Sequence, residues 1–170
     1  MTRVEQICEQ WQDVRNGLIK EVELIPAEQF EFRAAAETRS VLEILQHIIE
    51  SERVLVGEIC RDNTNPARGF PAMIADFAPN VKEAKTKEEV IDLLRSSLGE
   101  SKAKACEFGD ANLDQMMTRF DGKQAPKVGM LNFTISHEMY HRGQLTVYER
   151  LLGIEPALTQ FFKKAMASRP

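Results

Sequence analysis

The stretch VGMLNFTISHEMYHRGQLTVYERLL, residues Val128–Leu152, decides how this chain folds. It holds no proline, repeats apolar residues at steps of three and four, and is followed by Gly153 and Pro156, so it reads as one long helix with a glycine cap. His137 and His141 are four apart and therefore stand one above the other on a single face. At ~100° per residue, Met130, Phe133, Tyr140, Gln144, Tyr148 and Leu151 share their arc, so the pair is expected to point into a helical packing and not into water. Such a pair can grip one metal ion. It can equally be a pair of hydrogen-bonded core residues.

Three further segments carry the same period, and none shows sustained alternation. The first runs from about Thr2 to Ile25 through Val4, Ile7, Trp11, Val14, Leu18 and Val22, and Pro26 stops it. The second opens on Ser40-Val41-Leu42-Glu43, a capping box, and continues to about Cys60. The third opens on Thr86-Lys87-Glu88-Glu89, the same device, with Val90, Leu94, Leu98, Ala105 and Phe108 on one face. The expected architecture is an all-α four-helix bundle, with the whole of 1–170 as one domain. The connection from Arg61 to Lys85 is long, rich in Asn, Pro and Gly, and contains Phe70, Met73, Ile74 and Phe77. Its length permits a crossover, so that helices two and three run parallel.

Composition narrows the function. A net charge of −4 with no basic stripe, and 7% aromatic residues, argue against a nucleic-acid partner. No apolar run is long enough to span a membrane, and the charged N-terminus lacks a signal-peptide core. Cys8, Cys60 and Cys106 are odd in number, far apart in sequence and form no C-x-x-C pair, so reduced thiols in a cytoplasmic protein are expected.

The third and last histidine, His47, lies on the second helix at the edge of the arc of Val41, Ile44, Leu45, Ile48 and Leu55. An edge position can face a gap between helices, although a lone histidine there is more often structural. Taken together, Ser40-x-x-Glu43-x-Leu45-x-His47 and, some ninety residues later, His137-x-x-x-His141-Arg142-Gly143-Gln144 resemble the DinB family, which includes the YfiT-like metal-dependent proteins. The resemblance spans nearly the whole chain. It implies a four-helix bundle with a long crossover, and one divalent ion held by three histidines, which here are His47, His137 and His141. Three histidines leave an open coordination position, as catalytic zinc sites do. Imidazoles suit several metals, with Zn or Ni expected.

Around this centre, Gln144 is expected to orient a ligand or substrate. Glu50, one turn beyond His47, is a candidate base or fourth ligand. Tyr140 and Tyr148 are expected as walls, Arg142 as a surface or ion-pairing residue, and Gly143 as a point of close backbone approach. Arg61, Arg68 and Arg119 could reach the mouth from the connections. The resemblance further implies a thiol-dependent S-transferase acting on a small molecule with a low-molecular-weight thiol. A metal-dependent hydrolase and a non-catalytic metal- or ligand-binding stress protein are the alternatives. Leu131, Ile135 and Met139 on the fourth helix, with Leu42, Ile49 and Val56 on the second, form stripes that suggest a homodimer.

Overall fold

The structure is a computed structural model that describes residues 1–168. Its described elements are α1 (Arg3–Leu24), α2 (Val41–Ile59), α3 (Phe70–Phe77), α4 (Lys87–Phe108), a hairpin of β1 (Met116–Thr118) and β2 (Gln124–Pro126), α5 (Lys127–Leu151) and α6 (Ala157–Ala167). Three of the long helices start in capping boxes, at Thr2/Glu5, Ser40/Glu43 and Thr86/Glu89; the first of these was not anticipated. The end of α5 is marked by Gly153 at a positive φ of 76°, a conformation glycine adopts without penalty. No described helix is long and apolar enough to cross a membrane.

Side-chain contacts give the direction of every long helix. Lys102 meets Gln12 and Arg95 meets Glu23, so α4 runs against α1. Ser97 meets Glu52 and Arg53 meets Glu100, so α4 runs alongside α2. Trp11 meets Glu138 and Glu21 meets Arg142, so α5 runs alongside α1. The order is up, down, down, up, and the long connection is the crossover that the second pair requires.

The core is split at mid-height. One apolar cluster runs through Leu18, Ile44, Leu94 and Leu145, the other through Trp11, Leu55, Leu98 and Leu131. Between them lies a polar layer with one member from each long helix: Arg15, Glu52, Ser97 and Glu138. Arg15 Nε donates to Glu138 Oε1 at 2.6 Å and Nη2 to Glu52 Oε2 at 2.6 Å, while Nη1 reaches the Leu94 carbonyl. Trp11 Nε1 donates to Glu138 Oε2 at 2.8 Å. Burial alone would lower the Arg15 guanidinium, yet the two carboxylates hold it above its usual value. Because each polar group finds its partner at only one helix register, the layer opposes sliding of one helix along another.

Three parts of the structure depart from the sequence reading. The crossover is not irregular throughout, because Phe70–Phe77 forms α3. Residues 116–126 form a short antiparallel hairpin that pairs Met117 with Ala125. Past Pro156, beyond the four helices read from the sequence, α6 forms with that proline as its N-cap. The stripes read as a dimer contact are largely core: Leu42, Ile49, Val56 and Leu131 are buried inside the chain and Ile135 is half-buried, leaving Met139 as their exposed member. The expected close approach at Gly143 is also absent, since a Cβ there would meet nothing within 4 Å. Gly17 is the residue that makes room on this side, because a Cβ on it would overlap the Arg142 guanidinium.

That guanidinium belongs to a second buried polar group, which carries a pH prediction. Glu21 accepts from Arg142 Nη2 at 2.8 Å and from the Ala157 amide at 2.5 Å, tying α1 to α5 and to the start of α6. Beside it, Glu149 is 0% exposed and neither carboxyl oxygen has a hydrogen-bond partner. Burial, and then the neighbouring Glu21, push Glu149 up to about 8. Between the ordinary carboxyl value of 4.5 and about 8, the folded protein keeps a proton that the unfolded chain has released. Stability therefore falls as pH rises across that window, and the loss is complete above it. Glu149→Gln, neutral throughout, is expected to stabilise the protein at pH 7 by on the order of 2 kcal/mol and to flatten the decline. Urea unfolding from pH 5 to 9 measures this; parallel curves for the two proteins would contradict it.

Candidate metal centre

The capping box at Ser40 fixes the start of α2, and the antiparallel packing of α2 on α5 brings His47 to the level of His137 and His141. The ring centroid of His47 lies 5.1 Å from that of His137 and 4.8 Å from that of His141. Nε2 of His137 and Nε2 of His141 are 3.1 Å apart, and one ligand atom from each of the three residues lies within 4.8 Å of the other two. Imidazole nitrogens at zinc-ligand distance in a tetrahedral shell would be about 3.3 Å apart, so the trio needs only small rotamer adjustments to hold one divalent ion.

The protonation states also fit. Burial, reinforced by the charge of Arg39, holds His47 down at about 3. Burial, then His141 and Arg39, hold His137 at about 4. His141 is lowered by burial, against the opposing hydrogen bond from Gln144. All three are therefore neutral at pH 7, the form that binds metal. Gln144 Oε1 lies 2.7 Å from Nδ1 of His141. An amide oxygen can only accept, so Nδ1 carries the proton and Nε2 keeps its lone pair for an ion.

The centre lies on the seam between α2 and α5, and not in the deep interior expected from the helix arc. His141 is buried and the other two are half-buried, while Phe133, Tyr140 and Leu151, on the same arc, are exposed. Two cavities flank it. One, of about 240 Å³, is walled by Phe70 from α3, Phe120 from the hairpin and Phe133 from α5, and ends on His47 and His137. The other, of about 580 Å³, is mixed, with Arg39, Gln144 and Tyr148 beside the apolar Ile44 and Val147. A third, of about 420 Å³ behind Phe120 and Phe133, contains the Arg119–Asp121 ion pair and none of the histidines.

The remaining expected residues scatter. Glu50 lies outside the cluster, its Oε1 3.9 Å from Lys82 Nζ, and burial raises its pKa. Tyr140 stands edge-on to His141 at 5.1 Å, and Tyr148 is buried with its hydroxyl donating to the Arg39 carbonyl at 2.8 Å. Arg142 is ion-paired to Glu21. Arg61 and Arg68 are engaged by Glu58, away from the histidines.

Two residues near the centre escaped the sequence reading. Arg39 could have been found, since it immediately precedes the capping box of the His47 helix. Glu138 could also have been found, because His137-Glu138-x-x-His141 is the pattern of zinc peptidases, in which the glutamate serves as general base. Here Glu138 is on the far side of α5, 2% exposed and bound by Arg15 and Trp11. The pattern is present without the geometry that gives it that role.

Fold and site together define a helical-bundle protein with a three-histidine group able to hold a single metal ion. The sequence profile of the DinB family matches residues 1–169, and the chain belongs to that family. It is 22% identical to the uncharacterized protein YjoA of Bacillus subtilis (strain 168) over 155 residues, covering 90% of this chain and 93% of that one. The crystal structure of the DinB-like YjoA superposes with a TM-score of 0.67 at 21% identity, covering 87% of this chain and 92% of the other. A DinB-like protein from Bacillus cereus ATCC 10987 gives a TM-score of 0.65 at 17% identity, with coverage of 89% and 94%.

Proposed function

We propose that His47, His137 and His141 hold one zinc or nickel ion and that the protein is a thiol-dependent S-transferase acting on a small electrophile. The observation that carries this reading is the makeup of the cluster: three neutral imidazoles, with no carboxylate among the described residues joined to them. When bound, such an ion keeps a position open for an incoming thiol and lowers its pKa, so that thiolate is available at neutral pH. Gln144 sets the His141 tautomer. The apolar walls Phe70, Phe120 and Phe133 give an electrophile a water-poor place beside the sulfur. A sulfur–carbon bond forms there as the leaving group departs with its electron pair, and the thiol proton passes to solvent.

Hydrolysis would need a carboxylate beside a bound water. Glu138 is committed to Arg15 and Trp11, and Glu50 faces Lys82, so the thiol reading is preferred. Its test is spectroscopic. Cobalt-substituted protein titrated with a panel of small thiols is expected to gain a near-ultraviolet charge-transfer band with at least one of them. Turnover of esters or amides with no thiol perturbing the spectrum would decide for hydrolysis.

A further inference from the structure

The larger of the two flanking cavities has a chemistry that the transferase reading does not use. Its guanidinium, Arg39, makes no ion pair or side-chain hydrogen bond with any described residue, whereas Arg33 is spent on Glu43 and Arg142 on Glu21. The backbone of Arg39 is nevertheless fixed, because Tyr148 donates to its carbonyl and Tyr148 is itself buried and stacked edge-on against Phe32 at 5.7 Å. Arg39 precedes His47 by about two turns of α2, and α5 runs the opposite way. Residues that follow His141, namely Gln144, Val147 and Tyr148, therefore complete the same cavity. Gln144 is shared, since it walls the cavity and also hydrogen-bonds His141. A molecule filling the cavity thus meets Gln144, the partner of His141, on one side and a planar cation unpaired among the described residues on the other.

We propose that this cavity is a carboxylate subsite, in which Arg39 receives the anionic end of a small molecule whose donor atom lies at the three-histidine centre. A guanidinium fits a carboxylate through two parallel N–H···O bonds, and a single one suits a single carboxylate. The opposite cavity, walled by phenylalanines, offers no such partner, so the two ends of the site discriminate. The charged thiol lies toward Arg39 and the apolar electrophile toward Phe70, Phe120 and Phe133. Glu37 shares the same wall without an ion pair among the described residues and disfavours ligands carrying several negative charges at that point.

The subsite rests on the proposed metal centre, and its test separates the two. Cobalt-loaded protein is titrated with 3-mercaptopropionate and with its methyl ester, which differ only in the charge of the remote end. The same comparison is made with the monohydroxamate of succinic acid and its methyl ester, which grip a divalent ion through oxygen whatever its preference for thiols. The acid of each pair is expected to bind about tenfold more tightly than its ester. Arg39→Gln should erase that preference by weakening the acids alone, with metal content unchanged, and Arg39→Lys should restore part of it. If thiols leave the spectrum untouched while the hydroxamates show an Arg39-dependent preference, the transferase reading falls and the subsite stands. Equal acid-to-ester ratios in the unmodified protein and in Arg39→Gln overturn the subsite, whichever donor atom is used.

Discussion

Protein carrying His141→Ala is expected to emerge from purification nearly free of divalent ion, while the unmodified chain carries close to one per molecule. His141 is the most buried of the three histidines, and among the described residues it is the one whose second nitrogen is fixed by a partner, Gln144. Its removal leaves two ligands, too few for tight binding, and also strands the Gln144 amide. Gln144→Leu separates these effects. It keeps all three ligands and removes only the support of His141, a change that costs about 10–100-fold in affinity at metal sites of this kind. Elemental analysis after gel filtration gives the stoichiometry, and competition with a chelator gives the affinity. Because an ion that binds only the folded state stabilises it by mass action, chelation should lower the melting temperature of the unmodified protein and leave that of His141→Ala where it is. Full metal content in His141→Ala would remove the basis of the proposed centre.

A second large effect is expected at Arg15, far from any ligand. Arg15→Met places an apolar chain of similar length in the polar layer and leaves Glu52 and Glu138, 1% and 2% exposed, facing each other without their cation. Breaking a buried ion network in this way costs about 3–5 kcal/mol, against about 5–15 kcal/mol for the whole stability of an ordinary domain. Arg15→Met is therefore expected to unfold at much lower urea and to regain stability as pH falls and the stranded carboxylates take up protons. The triple variant Arg15→Met, Glu52→Leu, Glu138→Leu, with all three charges gone, should recover most of the loss. Equal destabilisation of the single and triple variants would show that packing, and not unpaired charge, sets the cost.

The four long helices were legible because local signals agreed with the global pattern. The boxes at Ser40 and Thr86 form as written, and the apolar period of α1, α2 and α4 matches the buried residues, whereas on α5 Phe133, Tyr140 and Leu151 of the expected arc are exposed. The crossover could be inferred from length alone. The small elements were not legible. In α3, which follows Gly69 and carries Pro71 in its first turn, the eight residues are too few to show a period. The hairpin strands have three residues each and no alternation. In α6, Pro156 follows the glycine that ends α5 and, instead of barring a helix, serves as the N-cap of the next one.

In the site, spacing gave the His137/His141 pair, but a lone His47 on an apolar arc was uninformative until the family resemblance joined it to them. The depth of the site was misjudged, because helix periodicity gives direction and says nothing of what covers a face. Buried charges were missed for a similar reason. Arg15 follows Trp11 by four residues on the inward face of α1, a visible anomaly, but its partners Glu52 and Glu138 are remote in sequence and are found only through the packing.

The placement of the cleft walls bears on how such a protein can diversify. Phe70 belongs to the crossover and Phe120 to the hairpin, and neither segment supplies the bundle's interhelical frame. The wall positions Phe70 and Phe120 can change side chains while the three histidines and the polar layer keep their places, whereas Met73, Ala78, Val81, Leu113 and Met117 of the same stretches are buried core. New substrate preferences are then open to descendants of this chain at little cost in folding. Variation among natural relatives should accordingly concentrate at the wall positions Phe70 and Phe120 and be least at the level of Arg15 and His141.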